Sequence, residues 1–298
     1  MILVTGASGA LGGLIHANLA AAGAEVLAGT HSPGPGSGRR RTDFDDPRSL
    51  AEGFAGAEVV VLVSAGYAED DVVLARHRAA IDAAVRAGVR HVVYTSLAGS
   101  GDPLTIALPH RWTEAALADA PLDVTVLRNG LYAEVPTALG LATASAAVAT
   151  GVFRAPWGTG TVPVVSREDL AEVAASVARE VQESITAGQQ SRHTGRTYEL
   201  DGTGTAGGED LAAALTEVLG TQVRYRTAPL GETWATLAEA GLAPYQVSHA
   251  VSFFSNLNAG TLAARPSDLP ALLGRQPRPA FELLVDAVRA GLRQSSPT

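Results

Sequence analysis

The chain has 298 residues, 46% of them apolar, and a formal net charge of −8; it can build one large α/β domain or a domain with a smaller partner, and its acidic balance offers no general attraction to nucleic acid or an anionic membrane. Cysteine is absent, which excludes disulfides, thiolate nucleophiles and cysteine-ligated metals. No apolar run reaches membrane-spanning length, and the chain enters its first apolar stretch at Ile2 without a basic leader, so a soluble cytoplasmic protein is expected.

Ile2 to Val4 reads as a buried parallel strand. It breaks into Thr5-Gly6-Ala7-Ser8-Gly9-Ala10-Leu11-Gly12 and then into an amphipathic helix carrying Leu14, Ile15 and Leu19. Gly6 suits a tight turn, Gly9 lets the backbone approach a pyrophosphate, and Gly12 lets the helix pack closely on the strand; the helix N-terminus presents free N–H groups to phosphates. A second strand, Glu25 to Thr30, follows at βαβ distance. Residues 31–41 form a loop rich in Gly, Pro, Ser and Arg. Asp46 as cap and Pro47 in the first turn predict a helix to Phe54. Strand Glu58 to Ser64, helix Asp70 to Ala87 closed by Gly88, strand His91 to Thr95, helix Pro109 to Ala118 and strand Asp123 to Leu127 continue the alternation. Such alternation predicts a Rossmann-like doubly wound parallel sheet.

Beyond Gly130 the pattern is less regular. An Ala-rich helix over Val135 to Thr150, two short strands within Val152 to Val165 and a helix from Arg167 to Glu183 capped by Ser166 are expected. A polar, mobile loop from Gln189 to Gly195 leads to a strand, Thr197 to Leu200, that returns to the sheet. Helix Leu211 to Leu219, strand Gln222 to Thr227 and two helices within Leu230 to Ala259, split at Ala243-Pro244, complete the reading; the tail after Arg293 is polar and disordered. The expected organisation is an NAD(P)-binding domain over 1–130 and a smaller, interleaved C-terminal α/β substrate lobe over 131–298, with elements near 160–200 returning to the first domain.

Four segments carry a family resemblance: Thr5 to Gly12; Asp43-Phe44-Asp45-Asp46-Pro47-x-Ser49-Leu50; His77-Arg78 through Ala87-Gly88-Val89 to Tyr94-Thr95-Ser96-Leu97; and Leu127-Arg128-Asn129-Gly130-Leu131-Tyr132-Ala133-Glu134. In this order and spacing they resemble the NmrA-like atypical short-chain dehydrogenases, and within them the bacterial NADPH:quinone oxidoreductase type 2 branch. The likeness runs almost end to end, through Gly151-Val152-Phe153 and Arg167-Glu168-Asp169-Leu170-Ala171. It implies NADP(H) bound by the Rossmann domain, with a C-terminal lobe closing a cleft over the nicotinamide. It also implies either direct hydride transfer to a quinone or similar flat aromatic electrophile, or dinucleotide binding as a redox sensor; a biosynthetic reductase or epimerase is the third reading. Neither flavin nor metal is expected. The partner expected is a small quinone or aromatic molecule, not nucleic acid or a membrane; a homodimer is left open.

All 22 basic residues are arginine. The Tyr-x-x-x-Lys pair that serves most short-chain dehydrogenases therefore cannot exist here, and none of the six tyrosines has Arg four residues later. The end of the second strand, Gly29-Thr30-His31-Ser32, lacks the acid that selects NAD, which favours NADP(H) over NAD(H). The family's usual Arg at the position of His31 is missing, and Arg39, Arg40 or Arg41 in the next loop is the candidate source of charge, unless the run is only a solvated cluster. Cofactor contacts are expected from Thr5, Gly6, Ser8, Gly9, Ala10, Leu11, Gly12, His31, Arg39, Asp43, Phe44, Ser64, Ala65, Gly66, Thr95, Ser96, Asn129 and Gly130. The candidates for the reacting end are His110, titrating near its ordinary 6.5 to donate a proton, Tyr132, stacking on a flat ring, and Ser96, bonding a substrate oxygen. Each has a plainer alternative: an exposed helix-start histidine, a core aromatic, a strand-end turn. Trp157, Tyr245, Phe253 and Phe254 are further pocket candidates or simply core. No histidine spacing matches a metal site, so none is predicted.

Overall fold

A computed structural model describes residues 1–34, 38–65, 68–142 and 150–294. The expected cofactor contact Gly66, the distal part of the helix expected to reach Thr150 and the last residues of the polar tail lie outside the described residues.

Seven parallel strands form the central sheet: β1 (Ile2–Val4), β2 (Val26–Thr30), β3 (Arg40–Arg41), β4 (Val59–Leu62), β5 (His91–Leu97), β6 (Asp123–Asn129) and β10 (Arg196–Leu200). Their spatial order is β3-β2-β1-β4-β5-β6-β10, a Rossmann-like arrangement whose direction of winding reverses between β1 and β4. Side chains alternate across this sheet. Ile2, Val4, Val59 and Val61 pack beneath α1 (Ala10–Ala21) and the long α6 (Arg167–Thr186). Leu3, Val60, Leu62 and Tyr94 face α2 (Pro47–Phe54), α3 (Asp70–Arg86) and α4 (Ala107–Ala118) on the other side. β1 and β4, buried on both faces at the centre of the sheet, are apolar throughout and carry no polar alternation.

The caps follow the sequence. Asp46 accepts hydrogen bonds from Arg48 and Ser49 backbone N–H groups, and Ser166 from Asp169 N–H. Arg196–Leu200 pairs in parallel with Thr125–Asn129, so the late strand does return to the sheet.

The remaining elements form a second core. They are β7 (Leu131–Tyr132), α5 (Glu134–Ala142), β8 (Val152–Ala155), β9 (Thr161–Val165), β11 (Gly204–Gly207), α7 (Gly208–Leu219), β12 (Arg224–Thr227), α8 (Leu230–Glu239), α9 (Pro244–Asn258), α10 (Leu269–Leu273) and α11 (Ala280–Gln294). Phe153, Trp157, Val164, Leu211, Phe254, Leu284 and Val288 meet at its centre. Trp157 and Phe254 are thus core residues. Helices α10 and α11 and strand β11 have no counterpart in the sequence reading.

Two loop expectations are corrected. The loop expected over residues 31–41 ends in β3, which pairs Arg40 and Arg41 with Gly29 and Thr30. The segment from Gln189 to Gly195 is anchored: His193 is fully buried, its carbonyl accepts from Thr125 Oγ1 at 2.8 Å, and its ring bonds Tyr198 and Glu180. A polar composition here serves an internal hydrogen-bond cluster.

Candidate active site

The carboxyl ends of β1, β2, β4, β5 and β6 open into one cavity of about 870 Å³, continued by α5 and α9 of the second core. The end of a doubly wound sheet at its winding reversal is where this architecture leaves a crevice for ligands.

At the floor, Gly6 adopts φ +60°, a left-handed conformation that disfavours any side chain. Gly9 N–H donates to Gly6 O at 2.8 Å, closing the turn. A Cβ on Gly12 would lie 2.4 Å from Gly6 O, so only glycine lets α1 start this close to the turn. No side chain caps α1, leaving its positive end to the cavity. These features suit a pyrophosphate. No group of His, Asp or Glu able to hold a metal occurs among the described residues.

Gly6, Ser8, Gly9, Ala10, Leu11, Gly12, His31, Phe44, Ser64, Ala65, Thr95, Ser96, His110, Asn129, Gly130 and Tyr132 all line the cavity. Three expected contacts stand apart. Thr5 is fully buried behind it, and its Oγ1 accepts from Val63 N–H at 2.9 Å, tying β1 to β4. Asp43 is buried and holds Arg41 at 2.8 Å. Arg39 is not part of the lining. Arg40 donates to the carbonyls of Gly53 and Ala55, and Arg41 pairs with Asp43 and Asp46. Arg40 and Arg41 therefore serve the α2 junction. His31, at 3.5 Å from Asp43, is left as the basic side chain lining that end of the cavity.

The wall after β4 is fixed by a relay invisible in the sequence. His77, fully buried on α3, accepts Ala65 N–H on Nε2 at 2.9 Å. Its Nδ1 lies 2.7 Å from Thr113 Oγ1, which donates to Pro109 O at 2.7 Å. Burial lowers His77 to about 3, so the ring is neutral, with its proton on Nδ1. Ser64 N–H donates to Thr95 Oγ1 at 3.1 Å, linking the same wall to β5.

At the reacting end the sequence candidates behave differently. His110 lines the cavity, and burial with the nearby Arg111 guanidinium lowers it to about 4. The expectation of a titration near 6.5 is corrected: His110 is neutral at neutral pH. Ser96 Oγ donates to Glu114 Oε1, a carboxylate also held by Arg111 and Arg128, so the serine proton is already committed. Burial raises the Tyr132 phenol, which stays protonated; the Arg167 guanidinium sits 4.9 Å from its ring centroid and pairs with Glu134 at 2.8 Å. Phe253 lines the cavity, whereas Trp157, Phe254 and Tyr245 do not.

Sequence reasoning missed Leu104, Ile106, Val135, Leu139, His249 and Ala250, which complete the apolar end. They come from three separate segments with no shared motif. Arg167 was at least visible as the first residue of a quoted family segment.

Fold and site together define a dinucleotide-type crevice without a Tyr-Lys pair, and residues 1–265 match the family model described as NmrA-like family: the chain belongs to the NmrA-like family. Among curated relatives, it is 34% identical over 252 residues to quinone oxidoreductase 2 of Escherichia coli, covering 81% of this chain and 82% of that protein. It is 30% identical over 290 residues to (4-alkanoyl-5-oxo-2,5-dihydrofuran-3-yl)methyl phosphate reductase of Streptomyces griseus, covering 94% and 95%. Among solved structures, the Escherichia coli NADPH-dependent quinone oxidoreductase QOR2 complexed with NADPH superposes with a TM-score of 0.82 at 30% identity, covering 96% of this chain and 99% of the other. The triphenylmethane reductase of Citrobacter sp. complexed with NADP(H) gives 0.81 at 27% identity, with the same coverage.

Proposed function

We propose that this protein is an NADPH-dependent oxidoreductase that reduces quinones or similarly flat aromatic electrophiles. The class, an NAD(P)H-dependent oxidoreductase, is supported by the reductase relatives across most of the chain. The observation that carries the substrate reading is the union, in one cavity, of the glycine turn under α1 with an apolar end built by Leu104, Ile106, Val135, Leu139 and Phe253. Arg167 is the one arginine among the described lining residues, and it is committed to Glu134 and Tyr132. That end therefore favours a flat neutral ring over a phosphorylated substrate.

The residues assigned to the cofactor are the turn from Gly6 to Gly12 for the pyrophosphate, His31, Thr42 and Phe44 for the adenosine end, and Ala65, Asn129 and Gly130 toward the nicotinamide. NADPH bound there supplies a hydride. The chain's own part is placement, since holding two reactants in near-attack geometry supplies much of the rate when the acceptor is already electrophilic. His110 lines the same cavity and serves there as a neutral hydrogen-bond donor. A quinone oxyanion is stable enough to need no Tyr-Lys acid, which accommodates the missing lysine.

The test is loss of reduced-nicotinamide absorbance with NADPH and NADH in parallel over a panel of quinones. Quinone-dependent oxidation, faster with NADPH, is expected. Tight NADPH binding without turnover on any quinone would replace this reading with a redox sensor.

A further inference from the structure

Tyr94 sits in β5 with its ring fully buried between the sheet and α4. Its hydroxyl lies within hydrogen-bond distance of His110 Nδ1, at 2.9 Å. Ser64 and Thr113 also face that hydroxyl; Thr113 Oγ1 gives its proton to Pro109 O and already accepts from His77 Nδ1, which leaves His110 Nδ1 as the nitrogen acceptor within reach. A buried phenol must place its proton on an acceptor or lose a hydrogen bond's worth of stability. His110 Nδ1 is such an acceptor only when that nitrogen carries no proton. The far nitrogen, Nε2, has no protein partner among the described residues, and the ring borders the cavity.

We propose that Tyr94 is a positioning residue: it donates its phenolic proton to His110 Nδ1, fixes His110 as the Nε2–H tautomer, and so presents that N–H to the carbonyl oxygen of a flat electrophilic substrate. The inference rests on the reductase reading above for its substrate. Two further observations fit. Burial raises the Tyr94 phenol, which keeps its proton, and His110 is neutral, so the ring has one N–H to assign. The Thr113-to-Pro109 bond pins the backbone one residue before His110, leaving the ring's tautomer to the phenol. Bound reduced nicotinamide would supply one hydride (two electrons and one hydrogen) to the quinone, becoming oxidised, and one quinone oxygen would be left as an oxyanion. The His110 Nε2–H stabilises that oxyanion by hydrogen bonding, and the proton completing the hydroquinone comes from water. Tyr94 and His110 keep their protons throughout.

The experiment is nitrogen NMR of the full-length protein labelled with 15N-histidine, with His110→Ala identifying the His110 signals. In the unaltered protein, a protonated Nε2 and an unprotonated Nδ1 are expected at neutral pH. Tyr94→Phe is expected to move His110 toward the other tautomer and to lower kcat for a quinone about tenfold, the equivalent of one hydrogen bond, with KM for NADPH unchanged. A proton on Nδ1 in the unaltered protein overturns the proposal, as does a tautomer or a kcat indifferent to Tyr94→Phe. If Tyr94→Phe does not fold, the spectrum of the unaltered protein decides. If no quinone is turned over, the reductase reading fails while the tautomer measurement still stands.

Discussion

His77 Nε2 accepts the backbone N–H of Ala65 at 2.9 Å, so a buried side chain of α3 holds the cavity wall that follows β4. Its other nitrogen reaches Thr113 of α4, and one neutral imidazole therefore joins two elements that flank the site. His77→Ala leaves the Ala65 N–H without its acceptor and opens a void. A loss of about 2–4 kcal/mol in unfolding free energy is expected, together with weaker dinucleotide binding. Denaturant unfolding and fluorescence titration with NADPH measure the two; unchanged values in both would show that the relay is idle.

Acid lability follows from three histidines. Burial lowers His77 to about 3 and His91 and His110 to about 4, against an ordinary 6.5. The unfolded chain therefore binds more protons than the folded one between about pH 6.5 and 4. Stability is complete above 6.5 and falls as pH falls through that window, with a slope approaching about 1.4 kcal/mol per pH unit for each histidine. Urea midpoints measured from pH 7 to 4.5 should decline steadily, and His91→Gln should reduce the slope.

Catalysis should show a different pH signature. Because His110 is neutral down to about 4, the kcat for quinone reduction should pass through pH 6.5 without an inflection. A clear inflection there would mean that His110 titrates as a proton donor.

Gly12→Ala places a Cβ 2.4 Å from Gly6 O. The helix must retreat from the turn, and NADPH affinity should fall by at least about tenfold, since the phosphate cradle depends on that approach. Calorimetric titration measures it, with thermal unfolding as the control for folding.

Cofactor choice should respond to His31. It lines the cavity where Arg40 and Arg41 are engaged elsewhere. His31→Arg is expected to raise the NADPH-to-NADH ratio of kcat/KM about tenfold, and His31→Glu to lower it. A ratio insensitive to both would place the 2′-phosphate contact on another residue.

Gly6, Gly9 and Gly12, with the apolar strand before them and the amphipathic helix after, determined by themselves the turn and the parallel sheet it belongs to, because a glycine turn and uninterrupted apolar runs each admit few backbone solutions. Asp46 and Ser166 likewise marked their helices, since a cap acts over three residues. Tertiary structure alone decided the rest. His77, Tyr94 and Thr113 are 17 and 19 residues apart in sequence yet meet around His110 and Ala65. The arginines Arg40 and Arg41 turned to α2, and Ser96 gave its proton to Glu114. Helix α11 also escaped the sequence reading, although its apolar face closes the second core. Such choices depend on which partners packing brings within hydrogen-bond distance. The pKa of His110 follows the same rule: desolvation is a property of the cavity wall around it.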